Sequence, residues 1–196
     1  MSFWNNLFGK KKVTQESMTS KSPFMPEKKE PVEIVFAHNF TEKGGRFLFS
    51  ESHSDCENFF QNILSENNWI NSDVFLLDKS LGKYFNLKIN DTSEIKEKKV
   101  ALINCEFLIA KTGGIMISSN QIKNLSLTEF PENIIVKAKV VQFAQDVSDG
   151  MSRLKASYSK NLPSNITTLN AKNLDKESDF LSQGNSSKNI YLLLEE

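Results

Sequence analysis

Residues 108–120 read LIAKTGGIMISSN. An apolar run enters Thr112-Gly113-Gly114 and a second apolar run leaves it at once. Two apolar runs of similar length around a glycine turn are the pattern of a β-hairpin, because glycine takes positive φ without steric cost. A second reading stays open beside it. Backbone N–H groups next to glycine are accessible, and such a turn is able to line an anion site. The stretch is neither of the common phosphate loops: G-x-x-x-x-G-K-[ST] and G-x-G-x-x-G are both absent.

Outward from this stretch, short apolar runs alternate with helical patterns. On the N-terminal side, IVFAHNF (34–40) is a first ordered stretch, and Gly44-Gly45 turns the chain into the strand RFLF. Ser54 stands three residues before Glu57, a capping-box spacing. Cys56, Phe59, Phe60, Ile63 and Leu64 follow at helical period. VFLL (74–77) reads as a buried strand, SLGKYFNL as a short helix and KEKKVALINCEFLIA as a return to sheet. On the C-terminal side, NIIVKA (133–138) reads as a strand. Asp146–Tyr158 reads as a helix with Val147, Met151, Leu154 and Tyr158 on one face. ITTL (166–169) and IYLLL (190–194) read as the last strands. Apolar strands interleaved with amphipathic helices predict an α/β fold whose mainly parallel sheet is covered on both faces.

Residues 1–32 read as a flexible tail and 33–196 as one folded domain. After Phe8 the tail is rich in Lys, Ser, Thr, Glu and Pro, too polar to offset its ordering entropy. Its tip differs. Phe3, Trp4, Leu7 and Phe8 share one face of a short helix, with Lys10, Lys11 and Lys12 behind. Such a tip serves as an oligomer contact, a clip onto the chain's own domain, a partner-docking peptide or a weak membrane contact.

Composition excludes several function classes. Lys plus Arg and Asp plus Glu both number 24, so a general nucleic-acid binder, which carries a basic excess, is not expected. No apolar run approaches the roughly 18 residues of a membrane span, and the N-terminus lacks the order of a secretory signal. A cytoplasmic protein is expected. Two cysteines, Cys56 and Cys105, and two histidines, His38 and His53, offer no metal-ligand spacing. Iron–sulfur clusters need about four thiolates, so any such cofactor belongs to a partner. Cys56 and Cys105 read as buried free thiols. No G-x-S-x-G is present, and a hydrolase triad is not expected. Asp175, Glu177 and Asp179 alternate, which alone suits a solvated or helix-capping run.

The order of these features resembles the LUD-domain family, proteins similar to the C component of lactate utilisation. The resemblance runs from about Val32 to the C-terminus. It is firmest from Val100 to Val136, VALINCEFLIAKTGGIMISSNQIKNLSLTEFPENIIV. There Ile-Ala-x-Thr-Gly, a Ser-Leu-x-x-x-Pro-like stretch and an Ile-Val strand follow one another. The resemblance implies a three-layer α/β/α sandwich akin to the ribose-phosphate isomerase and CoA-transferase superfold. It also implies an accessory role in lactate or 2-hydroxy-acid utilisation, without a redox cofactor of its own, beside iron–sulfur oxidoreductase subunits.

The family's second motif, Gly-Pro-Ser-Arg-Thr-Ala-Asp-Ile-Glu, falls on LNAKNLDKE (169–177). Lys172 stands at the arginine, Asp175 and Glu177 at the acidic positions, and Leu169 and Asn170 replace Gly-Pro. Further on, Gly184 is kept while Gln183 and Asn185 replace histidine and proline; Lys123 is the basic residue nearest to a second family arginine. Lysine lacks the bidentate fork of arginine, and glutamine cannot act as an acid or base. The implied site for a small anion therefore combines Thr112, Gly113 and Gly114 with Lys172, Asp175 and Glu177. The same substitutions leave open a non-catalytic binding or scaffold paralogue that docks partners through its tail.

Overall fold

The computed structural model describes residues 30–159, 161–172 and 187–196. The tail tip and the segment carrying Asp175, Glu177, Asp179, Gln183, Gly184 and Asn185 lie outside the described residues.

Among the described residues, nine strands form the sheet: β1 Arg46–Ser50, β2 Val74–Phe75, β3 Val100–Asn104, β4 Phe107–Ile109, β5 Gly114–Ile117, β6 Asn133–Lys139, β7 Phe143–Ala144, β8 Thr167–Ala171 and β9 Ser187–Glu195. The helices are α1 Val32–Glu42, α2 His53–Glu66, α3 Lys79–Tyr84, α4 Ser119–Ile122 and α5 Val147–Ser157. Strands β2, β3, β6, β9 and β1 are successive parallel neighbours. The other half runs β8, β5, β4, β7, with β4–β5 and β5–β8 antiparallel. The join is β9. One edge of it pairs with β6 from Asn189 to Glu195; the other takes β8 at Ser187–Lys188 and β1 from Tyr191 onward.

The parallel strands are apolar on both faces because helices cover both. Towards α2 and α3 point Val100, Leu102, Ile135, Tyr191 and Leu193. They pack with Cys56, Phe60, Ile63 and Leu64 of α2 and with Leu81 and Phe85 beside α3. Alternation sends Ala101, Ile134, Val136 and Leu192, all buried, to the other face. There Phe36 of α1 lies 6.5 Å from Phe47 and 5.4 Å from Phe143, ring to ring. The expected mainly parallel sheet flanked by helices is the fold.

Three local expectations change. The cap of α2 is Ser52, whose hydroxyl accepts the Asp55 N–H at 3.1 Å, not the Ser54–Glu57 pair two residues later. Both spacings carry Ser before an acid, so sequence alone does not separate them. KEKKVALINCEFLIA is not continuous sheet: residues 92–97 form a 3-10 helix, and Cys105-Glu106 separates β3 from β4. In α5 the buried residues are Gly150 and Leu154, while Val147 and Tyr158 are 44% and 36% exposed. A Cβ on Gly150 would stand 3.1 Å from Met116 Cε and 3.2 Å from Ile109 Cδ1. The glycine thus trades helix propensity for close approach to β4 and β5.

Candidate functional site

On the α2–α3 face of β3, β6 and β9, apolar side chains give way to polar ones at the carboxyl ends. Period-two alternation continues Val100 and Leu102 to Asn104, Ile135 to Lys137 and Lys139, and Leu193 to Glu195. Beyond the covering helices, a strand end in an open α/β sheet is where ligands bind. Asp78 starts α3 over this edge, its Oδ1 accepting the N–H groups of Ser80 at 2.6 Å and Leu81 at 3.1 Å. Beneath is a cavity of about 440 Å3, walled by Ser80, Tyr84, Asn104, Lys137, Lys139 and Glu195.

Lys137 is 6% exposed. Its ammonium forms a salt bridge with Glu195 Oε2 and lies 4.5 Å from the centre of the Tyr84 ring. The Tyr84 hydroxyl donates to Glu195 Oε1 at 2.6 Å. Burial alone would raise the Glu195 carboxyl, but the hydrogen bonds of Lys137 and Tyr84 and the lysine charge outweigh it and hold it below the usual glutamate value. Burial, then the neighbouring Glu195, pushes the Tyr84 phenol the other way. Lys139 stands exposed at the rim, where its charge also favours ionised Glu195.

A buried ion pair is a poor source of stability, because desolvating two charges offsets their attraction. A buried Lys–Glu pair in a cleft is a better pointer to a site. Cys105 contributes a wall, and Cys56 lies below Tyr84. Burial pushes both thiols up, so both stay protonated near neutrality. This arrangement holds two cations and one carboxylate around the cavity. Among the described residues no group of three His, Cys, Asp or Glu suits a metal ion.

Thr112-Gly113-Gly114 is a hairpin turn: β4 and β5 pair with Ile109 opposite Gly114, and Gly113 has φ +64°. Its N–H groups are satisfied internally. Gly113 donates to the Ile109 carbonyl at 2.8 Å, Thr112 to the same carbonyl at 3.3 Å, and Gly114 to Thr112 Oγ1 at 3.2 Å. Helix α1 docks on the turn, with Asn39 Nδ2 donating to the Ala110 carbonyl at 2.8 Å and Lys43 Nζ to the Thr112 carbonyl at 2.6 Å. Lys172 follows β8 and donates its N–H to the Lys188 carbonyl at 2.9 Å. The antiparallel register, Ile115 opposite Leu169, runs towards Thr112 on one strand and Lys172 on the other. The fold thus brings Lys172 to the turn's end of the sheet. Asp175 and Glu177 lie outside the described residues. Thr112, Gly113, Gly114 and Lys172 do not wall the carboxyl-edge cavity.

A second cavity, about 510 Å3, is walled on one side by Ile122 and residues 124–128 and on the other by residues 165–167. Its walls carry no charged side chain, so it has nothing to neutralise an anion. Lys137, Lys139 and Glu195 of the carboxyl-edge cavity are not among the residues the sequence marks for a site. Their signal is the charge that breaks an apolar strand at alternate positions near its carboxyl end, as in NIIVKAK and YLLLE.

The LUD domain family matches residues 88–194, from the approach to β3 almost to the end of β9. The chain belongs to the LUD-domain family. The match contains Asn104, Lys137 and Lys139, while Tyr84 and Glu195 lie outside it. A crystal structure of a DUF162 family protein from Deinococcus radiodurans superposes with a TM-score of 0.60, covering 84% of this LUD chain and 96% of that one. Sequence identity is 14%, a likeness of fold alone. No curated protein matches the sequence.

Proposed function

We propose that this LUD domain binds a small 2-hydroxy acid such as lactate at the carboxyl edge of its sheet. It then serves as the accessory component of 2-hydroxy-acid utilisation. The observation that carries this reading is the cavity walled by Lys137, Lys139 and Glu195. Lys139 meets the carboxylate of the acid, and Lys137 supplies a second, water-shielded positive charge. With two cysteines in the sequence, iron–sulfur electron transfer falls to oxidoreductase subunits as partners.

The competing anchor is Lys172 beside Thr112, Gly113 and Gly114, with Asp175 and Glu177 orienting the lysine or the acid. Calorimetric titration with lactate, glycolate and a sugar phosphate separates the two. Loss of saturable binding in Lys139→Ala with binding kept in Lys172→Ala supports the carboxyl edge. The reverse supports the turn, and no saturable heat with any acid removes both.

A second reading is a non-catalytic scaffold that docks partners through residues 1–32. It is favoured by the turn, whose Thr112, Gly113 and Gly114 N–H groups are spent inside the protein. Deleting the tail would then abolish co-purification of an iron–sulfur subunit while the domain stays folded. A truncated chain that retains every partner counts against it.

A further inference from the structure

Among the walls of the carboxyl-edge cavity, the polar groups divide unevenly into donors and acceptors. Lys137 and Lys139 are donors only. Ser80 commits its hydroxyl hydrogen to Asp78 Oδ1 at 2.5 Å, and Asn104 Nδ2 donates to Asp78 Oδ2 at 3.2 Å. Gln142 Nε2 donates to the Cys105 carbonyl at 2.5 Å, while its Oε1 accepts the Lys139 N–H at 2.7 Å. Glu195 is the carboxylate among these walls. Tyr84 takes one lone pair of Oε1 and Lys137 one of Oε2, and each oxygen keeps another. The two contacts also fix the carboxylate's orientation.

We propose, resting on the reading of this cavity as the acid site, that Glu195 sets the oxidation level of the ligand. Its carboxylate accepts the hydroxyl of a 2-hydroxy acid and repels the carbonyl of the matching 2-oxo acid. Both acids offer a carboxylate to Lys139, so the lysines do not tell them apart. The 2-hydroxy acid adds a donor, which Glu195 takes. The 2-oxo acid adds only an acceptor, which leaves two oxygens facing each other without a hydrogen between them. A site built to bond a substrate hydroxyl discriminates strongly against an analogue lacking it. Glu195 acts here as a specificity residue, and Tyr84 and Lys137 as positioning residues. The hydrogen bonds that keep Glu195 ionised support this, since a neutral carboxyl would itself donate to a carbonyl.

The test is calorimetric titration of the full chain with lactate and with pyruvate. Lactate is expected to bind at least about tenfold more tightly. In Glu195→Gln the ratio is expected to fall towards one or to invert, because the amide N–H donates to a carbonyl. A merely structural Glu195 would weaken both acids together and leave the ratio intact. Equal binding of both acids by the natural chain overturns this inference while leaving the acid site standing; binding of neither removes the acid site itself. Should Glu195→Gln not fold, Tyr84→Phe is expected to lower the ratio by loosening the carboxylate. An unchanged ratio in a folded Tyr84→Phe overturns the positioning role.

Discussion

Gly113 and Lys137 show how differently single residues can be read. The glycine pair was legible as a hairpin because positive φ at such a turn has few other solutions, and Gly113 does take φ +64°. A Cβ there would stand 2.5 Å from the Phe40 nitrogen and 2.6 Å from the Asn39 carbonyl carbon, backbone that cannot step aside. Gly113→Ala is therefore expected to destabilise the domain by about 2 kcal/mol or more, read as a lowered urea midpoint. Whether the turn's amides were free was not legible, since their acceptors include its own Ile109 carbonyl and the hydroxyl of Thr112. Lys137 was hidden for the opposite reason. Its burial depends on Glu195, 58 residues away, and on α3 closing over both. Lys137→Met leaves Glu195 half-buried without its cation and is expected to cost about 3 kcal/mol at pH 7. The sign of the pH dependence follows from the lowered Glu195 carboxyl. Its contribution is present above the ordinary value of 4.5 and fades as pH falls through the lower folded value. The gap between natural chain and Lys137→Met should therefore narrow on acidification. A gap that widens below pH 4.5 contradicts the pairing.

At the scale of elements, helices and strands were legible where period and length agreed, as in α2 and β6. Their ends were less so. Ser52 and Ser54 both precede an acidic residue, and the structure assigns the cap to Ser52. Ser52→Ala is expected to lower stability by about 1 kcal/mol in urea denaturation, and exposed Ser54→Ala by a few tenths at most. Equal effects would return the cap to Ser54. The face of α5 was legible by half: Leu154 and Met151 pack on the Ile109–Met116 cluster, Val147 and Tyr158 do not, and buried Gly150 carries no hydrophobic signal. The two-residue strand β7 leaves no periodic trace at all. That β9 is the hub pairing with β6, β8 and β1 is a matter of long-range register, which a run such as IYLLL does not encode.

For the whole molecule, alternation of apolar strands with amphipathic helices identified the fold class, and motif order identified the family. Two candidate sites lie at different places in the fold. The motif register pointed to the hairpin turn and Lys172, whereas the charged cavity sits at the carboxyl ends of β3, β6 and β9. A register marks residues a family shares. It is blind to charges that meet only when separate strands end side by side. No helix among the described residues is long and apolar enough to cross a membrane. The core from Phe36 to Leu194 is assembled within one compact unit beginning at Pro31. Deleting residues 1–29 is thus expected to leave the thermal midpoint within about 2 °C, less than the shift a 1 kcal/mol change produces. A larger loss would assign the tail a part in the fold.

A crystal structure of the full chain grown with lactate tests directly whether the carboxyl edge of the sheet holds the acid. The prediction is one lactate in the carboxyl-edge cavity, its carboxylate within hydrogen-bonding reach of Lys139 and its hydroxyl on Glu195. Lactate seated instead against Thr112, Gly113 and Lys172, or a cavity without lactate at saturating concentration, would contradict it.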